Sequence, residues 1–312
     1  MIDNELLGAL LAILAACCWG SAGVLYKAAI KAEHSLFLSI VYRGMIAVPF
    51  IALLTFFVNG FETTLILFHP DIFPIVIISS ILVTLGDLSF FSSLQSIDVS
   101  KAQPVASIYP LFTIIFLIIF GIETISIFVI IGTMILIIGI GLVSQKSNNS
   151  FSESSELDDK NLKRGLIIAI IAAIFWSLAI LTVRVILDYP QVDVFSLATL
   201  RFGILTLLMA ILWIVFDKYP LKSLKNTSDH YPITRKEIAV FGLSGILSWG
   251  LGAITFFTSI ELIGAARATP ISSINPIIPV ILGVFILKEK MTPIQTLGII
   301  LVCFGSIFIS LF

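Results

Sequence analysis

Arg267–Glu289 reads RATPISSINPIIPVILGVFILKE, and the chain carries the same pattern once before, at Lys101–Glu123, as KAQPVASIYPLFTIIFLIIFGIE. At an offset of 166, Ala102, Pro104, Ser107, Ile108, Pro110 and Glu123 fall on Ala268, Pro270, Ser273, Ile274, Pro276 and Glu289, and Lys101 meets Arg267. Each copy is an apolar run of roughly 20 residues, long enough to cross a bilayer as a helix. Each is interrupted near its start by two prolines, Pro104 and Pro110 or Pro270 and Pro276. Proline removes a backbone donor and clashes with the preceding turn, so both helices are expected to be kinked or partly unwound. Freed carbonyls in hydrocarbon need partners, which places these breaks inside protein or beside a wet cavity. Broken hydrophobic segments at matching positions of two halves point to a transporter's binding site.

The composition agrees. Of 312 residues, 58% are hydrophobic and 12% charged, and the mean hydropathy is +1.12. That excludes an ordinary soluble domain, and a net charge of −1 gives nucleic acid nothing to be drawn to. Cys17, Cys18 and Cys303 lie within apolar runs without metal-ligand spacing and read as small packing residues. Met1–Leu6 has only Asp3 and Glu5 as charges, so the basic start of a signal peptide is missing and the first helix is kept.

Apolar runs fall at about 6–26, 36–58, 72–94, 102–120 and 125–143, and again at 165–186, 195–216, 238–260, 268–287 and 293–312. The expected fold is an all-α integral membrane protein of ten transmembrane helices. A polar linker, 145–164, divides it into a first unit, 1–144, and a second, 165–312. Trp19 matches Trp176 at an offset of 157 and Arg43 matches Arg201 at 158. Gly86, Phe90, Phe91, Ile97, Gly132 and Gly139 match Gly252, Phe256, Phe257, Ile263, Gly298 and Gly305 at 166. Five spans per unit make the second enter from the opposite side, so the two repeats are inverted. The basic residues reverse accordingly. The connection before 238 carries Lys218, Lys222, Lys225, Arg235 and Lys236, while its counterpart before 72 carries none. The positive-inside rule then puts both termini on the outer side of the cytoplasmic membrane.

On Cys18-Trp19-Gly20, Phe175-Trp176-Ser177, Arg43, Arg201 and the doubled proline-to-glutamate pattern, the chain resembles the drug/metabolite transporter superfamily, specifically an EamA-type ten-helix permease. Lys288-Glu289-Lys290, Gln295 and Gly298 make the second copy the closer match; Gly121-Ile122-Glu123-Thr124 lacks the flanking bases, and Val129 stands where glutamine is usual. The resemblance implies alternating access around a central cavity, with export of amino acids or related metabolites.

Within that frame Asp87 stands out as a carboxylate in the middle of the third span, where acids are costly and face a polar interior. Its repeat counterpart is Ala253, and no basic residue lies within a helical turn of it. It reads as a proton carrier or an anchor for a cationic group, against the alternative of a hydrogen-bonded structural acid. Tyr109 and Asn275, directly before the second prolines, and Gln103 and Thr269, before the first, are expected to face the cavity. Trp19, Trp176 and Trp249 are candidates to line it, or else to mark the membrane interface. Arg43 and Arg201 are expected to snorkel to the rim, and Glu123 and Glu289 to form ion pairs at helix ends.

The leading functional reading is a secondary transporter of a small polar metabolite, exported and plausibly proton-coupled, with lipid as its other partner. The alternatives are an uncoupled facilitator and a membrane-embedded enzyme. No HExxH, Cys/His cluster or phosphate-cradling glycine loop supports the enzyme, and no cofactor or metal is called for.

Overall fold

Helix starts are set by short polar side chains. Ser35 and Asp193 accept backbone N–H groups at the heads of two helices. Thr234 with Glu237 and Thr292 with Gln295 close reciprocal capping boxes at two more. The computed structural model describes residues 3–29, 35–60, 62–94, 96–97, 99–143, 156–218, 233–281 and 292–311, and every regular element among them is helical. In chain order these are α1 (Asn4–Ala29), α2 (Leu36–Asn59), α3 (Phe73–Leu94), α4a (Val99–Ala106), α4b (Tyr109–Ile119) and α5 (Ile127–Val143). They continue as α6 (Glu156–Leu187), α7 (Val194–Trp213), α8 (Arg235–Ile263), α9 (Ala265–Ser272) and α10 (Pro293–Leu311).

Eight segments are long and apolar enough to cross a membrane, α4a and α4b counting together, and α5 is apolar but shorter. The expected breaks are present: α4a gives way to α4b at 107–108, and α9 ends in a turn at 273–276 before helix resumes at 277. Expectations placed on the linker before 156, the basic stretch 219–232 and Lys288-Glu289-Lys290 lie outside the described residues. Large apolar side chains such as Phe57, Leu65, Ile119 and Ile307 stay exposed, as a surface solvated by lipid tails requires.

Helices pack mostly across the two halves. α3 lies on α6 as α8 lies on α1, α4a lies on α6 as α9 lies on α1, and α2 lies on α7. Single residues follow the same exchange. A Cβ on Gly8 would meet Ile263 and one on Gly165 would meet Ile97, residues related by the offsets of 157 and 166. α5 and α10 form a separate pair, joined where Gly132 meets Gly305 and Gly139 meets Gly298. A Cβ on Gly298 would fall 2.7 Å from the Gly139 carbonyl oxygen, so the backbones touch through small residues.

Candidate functional site

Ser35 and Asp193 start α2 and α7 eight residues ahead of Arg43 and Arg201. Eight residues are about two helical turns, which carries both guanidinium groups into the bundle. They stay there, 8% and 5% exposed. The expected snorkelling is therefore corrected, and the reason is that each guanidinium finds partners inside. Arg43 donates to Ser248 Oγ and lies 4.9 Å from the Trp249 ring centre and 5.6 Å from that of Tyr26. Arg201 Nε donates to Ser79 Oγ at 2.9 Å and lies 5.6 Å from the Phe202 ring and 5.5 Å from Phe257. Trp249 and Phe202 stack at 5.1 Å and 9°, so one aromatic pair connects the two arginines. Ser248 and Trp249 sit on a π-helical turn of α8, Ile246–Gly252, a local widening common at functional positions.

Asp87 is not isolated. Its Oδ1 accepts Trp176 Nε1–H at 3.0 Å, and Arg43 and Arg201 both interact electrostatically with its carboxylate. Counting bases along its own helix missed this, because the guanidinium groups arrive from α2 and α7. Trp19, the counterpart of Trp176, donates its Nε1–H to the Ser248 carbonyl at 3.0 Å. The equivalence extends to what lies beneath each indole. A Cβ on Gly86 would be 2.7 Å from Trp176 Nε1, and one on Gly252 would be 2.8 Å from Trp19 Nε1. Trp176 packs on Phe90 at 5.3 Å and Trp19 on Phe256 at 5.0 Å, again sequence equivalents.

The broken helices supply the polar remainder. The Tyr109 ring meets Trp176 edge-on at 6.2 Å, and its backbone carbonyl accepts the Ser177 and Thr113 hydroxyls. Tyr109 Oη, Thr269 Oγ1, Asn275 Oδ1 and Ser107 Oγ are buried without hydrogen-bond partners among the described residues. Tyr109 Oη points toward Ser272 without reaching hydrogen-bond geometry. Such an atom costs about 1–3 kcal/mol, so several at two adjoining helix breaks mark a place built for a polar guest. Gln103 lies half-buried on α4a, one turn before the break. The structure thus links Trp176, Asp87 and Tyr109 directly, and Trp19 and Trp249 through Ser248 and Arg43. Thr269 and Asn275 lie on the facing break. Tyr26, Ser79, Phe202, Ser248 and Phe257 were missed. Ser79 and Ser248 are hydroxyls inside apolar runs, the one signal that could have singled them out.

A second polar cluster closes one end of the bundle. Glu123 accepts Arg184 Nε at 2.5 Å and Ala265 N–H at 2.8 Å on Oε1, and Ala266 N–H at 2.9 Å on Oε2. Arg184 also pairs with Asp188. Glu123 so forms an ion pair, as expected, and caps α9 as well. Gly264 precedes that cap with φ +78, where a Cβ would be both strained and 3.0 Å from the Glu123 carboxylate. At the other end a cavity of about 420 Å³ is lined by Ser92, Ser96, Asn161, Arg164 and Ile168.

Comparison with known proteins fits this architecture. An uncharacterized transporter of Archaeoglobus fulgidus is 25% identical over 97% of both chains. The glucose uptake protein GlcU of Bacillus subtilis is 27% identical, covering 77% of this chain and 79% of its own. A putative sugar uptake protein of Listeria monocytogenes is 27% identical over 83% and 85%. A solved crystal structure superposes with a TM-score of 0.76 at 16% identity, covering 97% of this chain and 96% of that one, which establishes a shared fold. Residues 6–145 and again 163–311 match the EamA-like transporter family. This multi-pass, all-helical membrane chain belongs to the EamA-like transporter family.

Proposed function

We propose that the protein is a secondary transporter moving a small polar metabolite across the cytoplasmic membrane by alternating access. In this reading the units 1–144 and 165–312 are inverted five-helix repeats making ten spans, and the cargo sits among Trp19, Asp87, Gln103, Tyr109, Trp176, Trp249, Thr269 and Asn275. One observation carries it: Arg43 and Arg201, at equivalent positions of the two halves, are buried around one carboxylate beside two broken helices. A packing scheme that survives exchange of the halves gives two conformations of similar energy, which alternating access needs. With both termini outward, the Glu123 cluster seals the outer end and the cavity at Arg164 lies at the inner one.

Sugars are the first cargo class to test, because relatives are named for glucose and sugar uptake; those names also favour uptake over the export that the resemblance implied. Asp87 serves in this scheme as the cavity's fixed anion, since the two guanidinium groups that face it favour its ionised form. Purified protein in liposomes loaded with unlabelled glucose should accumulate labelled glucose by counterflow, and Asp87→Asn should impair it. Gradient-driven uptake that disappears in Asp87→Asn while counterflow persists would restore the proton-carrier reading. Failure to move any sugar, amino acid or small organic acid would sink the transporter reading itself.

A further inference from the structure

The charges inside the bundle do not balance. Among the described residues, Arg43 and Arg201 are buried cations, Asp87 is the one anion acting on both, and no carboxylate lies within ion-pair distance of either arginine. A guanidinium has five N–H donors, yet among the described residues each of these two makes a single hydrogen bond, to a serine hydroxyl. Arg43 Nε is buried with no acceptor among the described residues. The aromatic faces of Trp249, Tyr26, Phe202 and Phe257 offset part of the desolvation. Taking a charge out of water costs more than weak contacts with ring faces return, so the rings alone do not suffice. A planar fork with spare donors matches a carboxylate held by two parallel hydrogen bonds.

We infer that Arg43 and Arg201 form an anion subsite, and that the cargo is an acidic small metabolite whose carboxylate takes the unused guanidinium donors. This rests on the transporter reading and narrows its substrate class. One bound carboxylate brings the described interior charges to zero, two positive against two negative. The neutral part of the cargo then meets Trp176, Trp249 and the free Tyr109 hydroxyl, groups that suit a hydroxylated or amino-acid-sized body. Asp87 gains a purpose as well. It keeps the empty site from carrying two unopposed cations, and it rejects a second acidic group on the cargo.

The experiment is a thermal-shift titration of the purified full-length protein against acid and neutral probes of matched size: gluconate with glucose, glycerate with glycerol, and lactate with 1,2-propanediol. A ligand that binds only the folded state raises its melting temperature. At least one acid should stabilise the protein at a concentration about tenfold below that needed by its neutral partner. Arg43→Gln and Arg201→Gln should each abolish that preference. If Arg43→Gln does not fold, Arg43→Lys keeps the charge without the fork and should weaken the acid several-fold while sparing the neutral probe. Equal stabilisation by both members of every pair, an acid preference unchanged in the arginine variants, or no shift with any acid would overturn the subsite. Glucose counterflow alongside any of those results would leave the transporter reading intact with a neutral cargo.

Discussion

Trp176 shows how much one hydrogen bond carries inside this bundle. Its N–H meets the Asp87 carboxylate while its ring lies against Gly86 and Phe90. Trp176→Phe keeps an aromatic ring there and removes the donor, and a hydrogen bond to a charged group is worth about 1.5–3 kcal/mol. The variant should melt several degrees lower, and combining it with Asp87→Asn should cost less than the two changes added separately. A melting temperature unchanged in Trp176→Phe would mean that the bond contributes nothing. Asp87 and Trp176 were both legible in the sequence, because an acid in mid-span and a repeated tryptophan are local signals. The fate of Arg43 was not. Whether a long basic chain snorkels or stays inside depends on what another helix offers it, and here that offer is Ser248 and Trp249 on a π-helical turn of α8. Nothing in residues 36–58 announces that turn.

Helix ends carry two further tests. Glu123 holds the start of α9 through two backbone N–H groups and Arg184. Glu123→Ala should speed amide exchange at Ala265 and Ala266 by about tenfold or more, each factor of ten being about 1.4 kcal/mol of lost local stability. Unchanged protection would show that α9 keeps its place without the cap. At α7, the Asp193 carboxyl is held below its ordinary range. Burial pushes it up, but the hydrogen bonds it accepts, first those from Ser196, outweigh that. A carboxyl with a lowered folded-state value stabilises the protein above its unfolded value of about 3.9 and loses that contribution as pH falls through the folded value. Asp193→Asn still caps the helix without titrating, so the fall in melting temperature between pH 5 and pH 3 should shrink relative to the parent. An identical acid limb would remove Asp193 from the account. The breaks in the fourth and ninth runs were readable from proline spacing alone. The partner of Glu123 was not, because Arg184 reaches it from the far end of α6, across the boundary between the halves.

At the scale of the whole molecule, α1 packs on α8 and α9, α2 on α7 and α8, α3 on α6 and α7, and α5 on α10. The repeat could be read from matching residues, but matching residues do not say whether two units sit side by side or interleave. Here they interleave, so the division at 145–164 separates two stretches of sequence and not two bodies with cores of their own. Cutting the chain in the polar stretch before 156 should therefore leave two pieces that copurify when made together, while the first piece made alone is degraded. Stable, monodisperse accumulation of the first piece alone would contradict the interleaving. The same arrangement has a consequence in time. Residues 1–144 are synthesised before most of the surface they pack against exists, and at about 5–20 residues per second the second half takes roughly 8–30 seconds more to appear. Throughout that interval Arg43 has neither Ser248 nor Trp249, and Asp87 has no Trp176. Lipid tolerates such groups poorly, so the nascent chain needs a protein or watery refuge at the insertion site until its second half arrives.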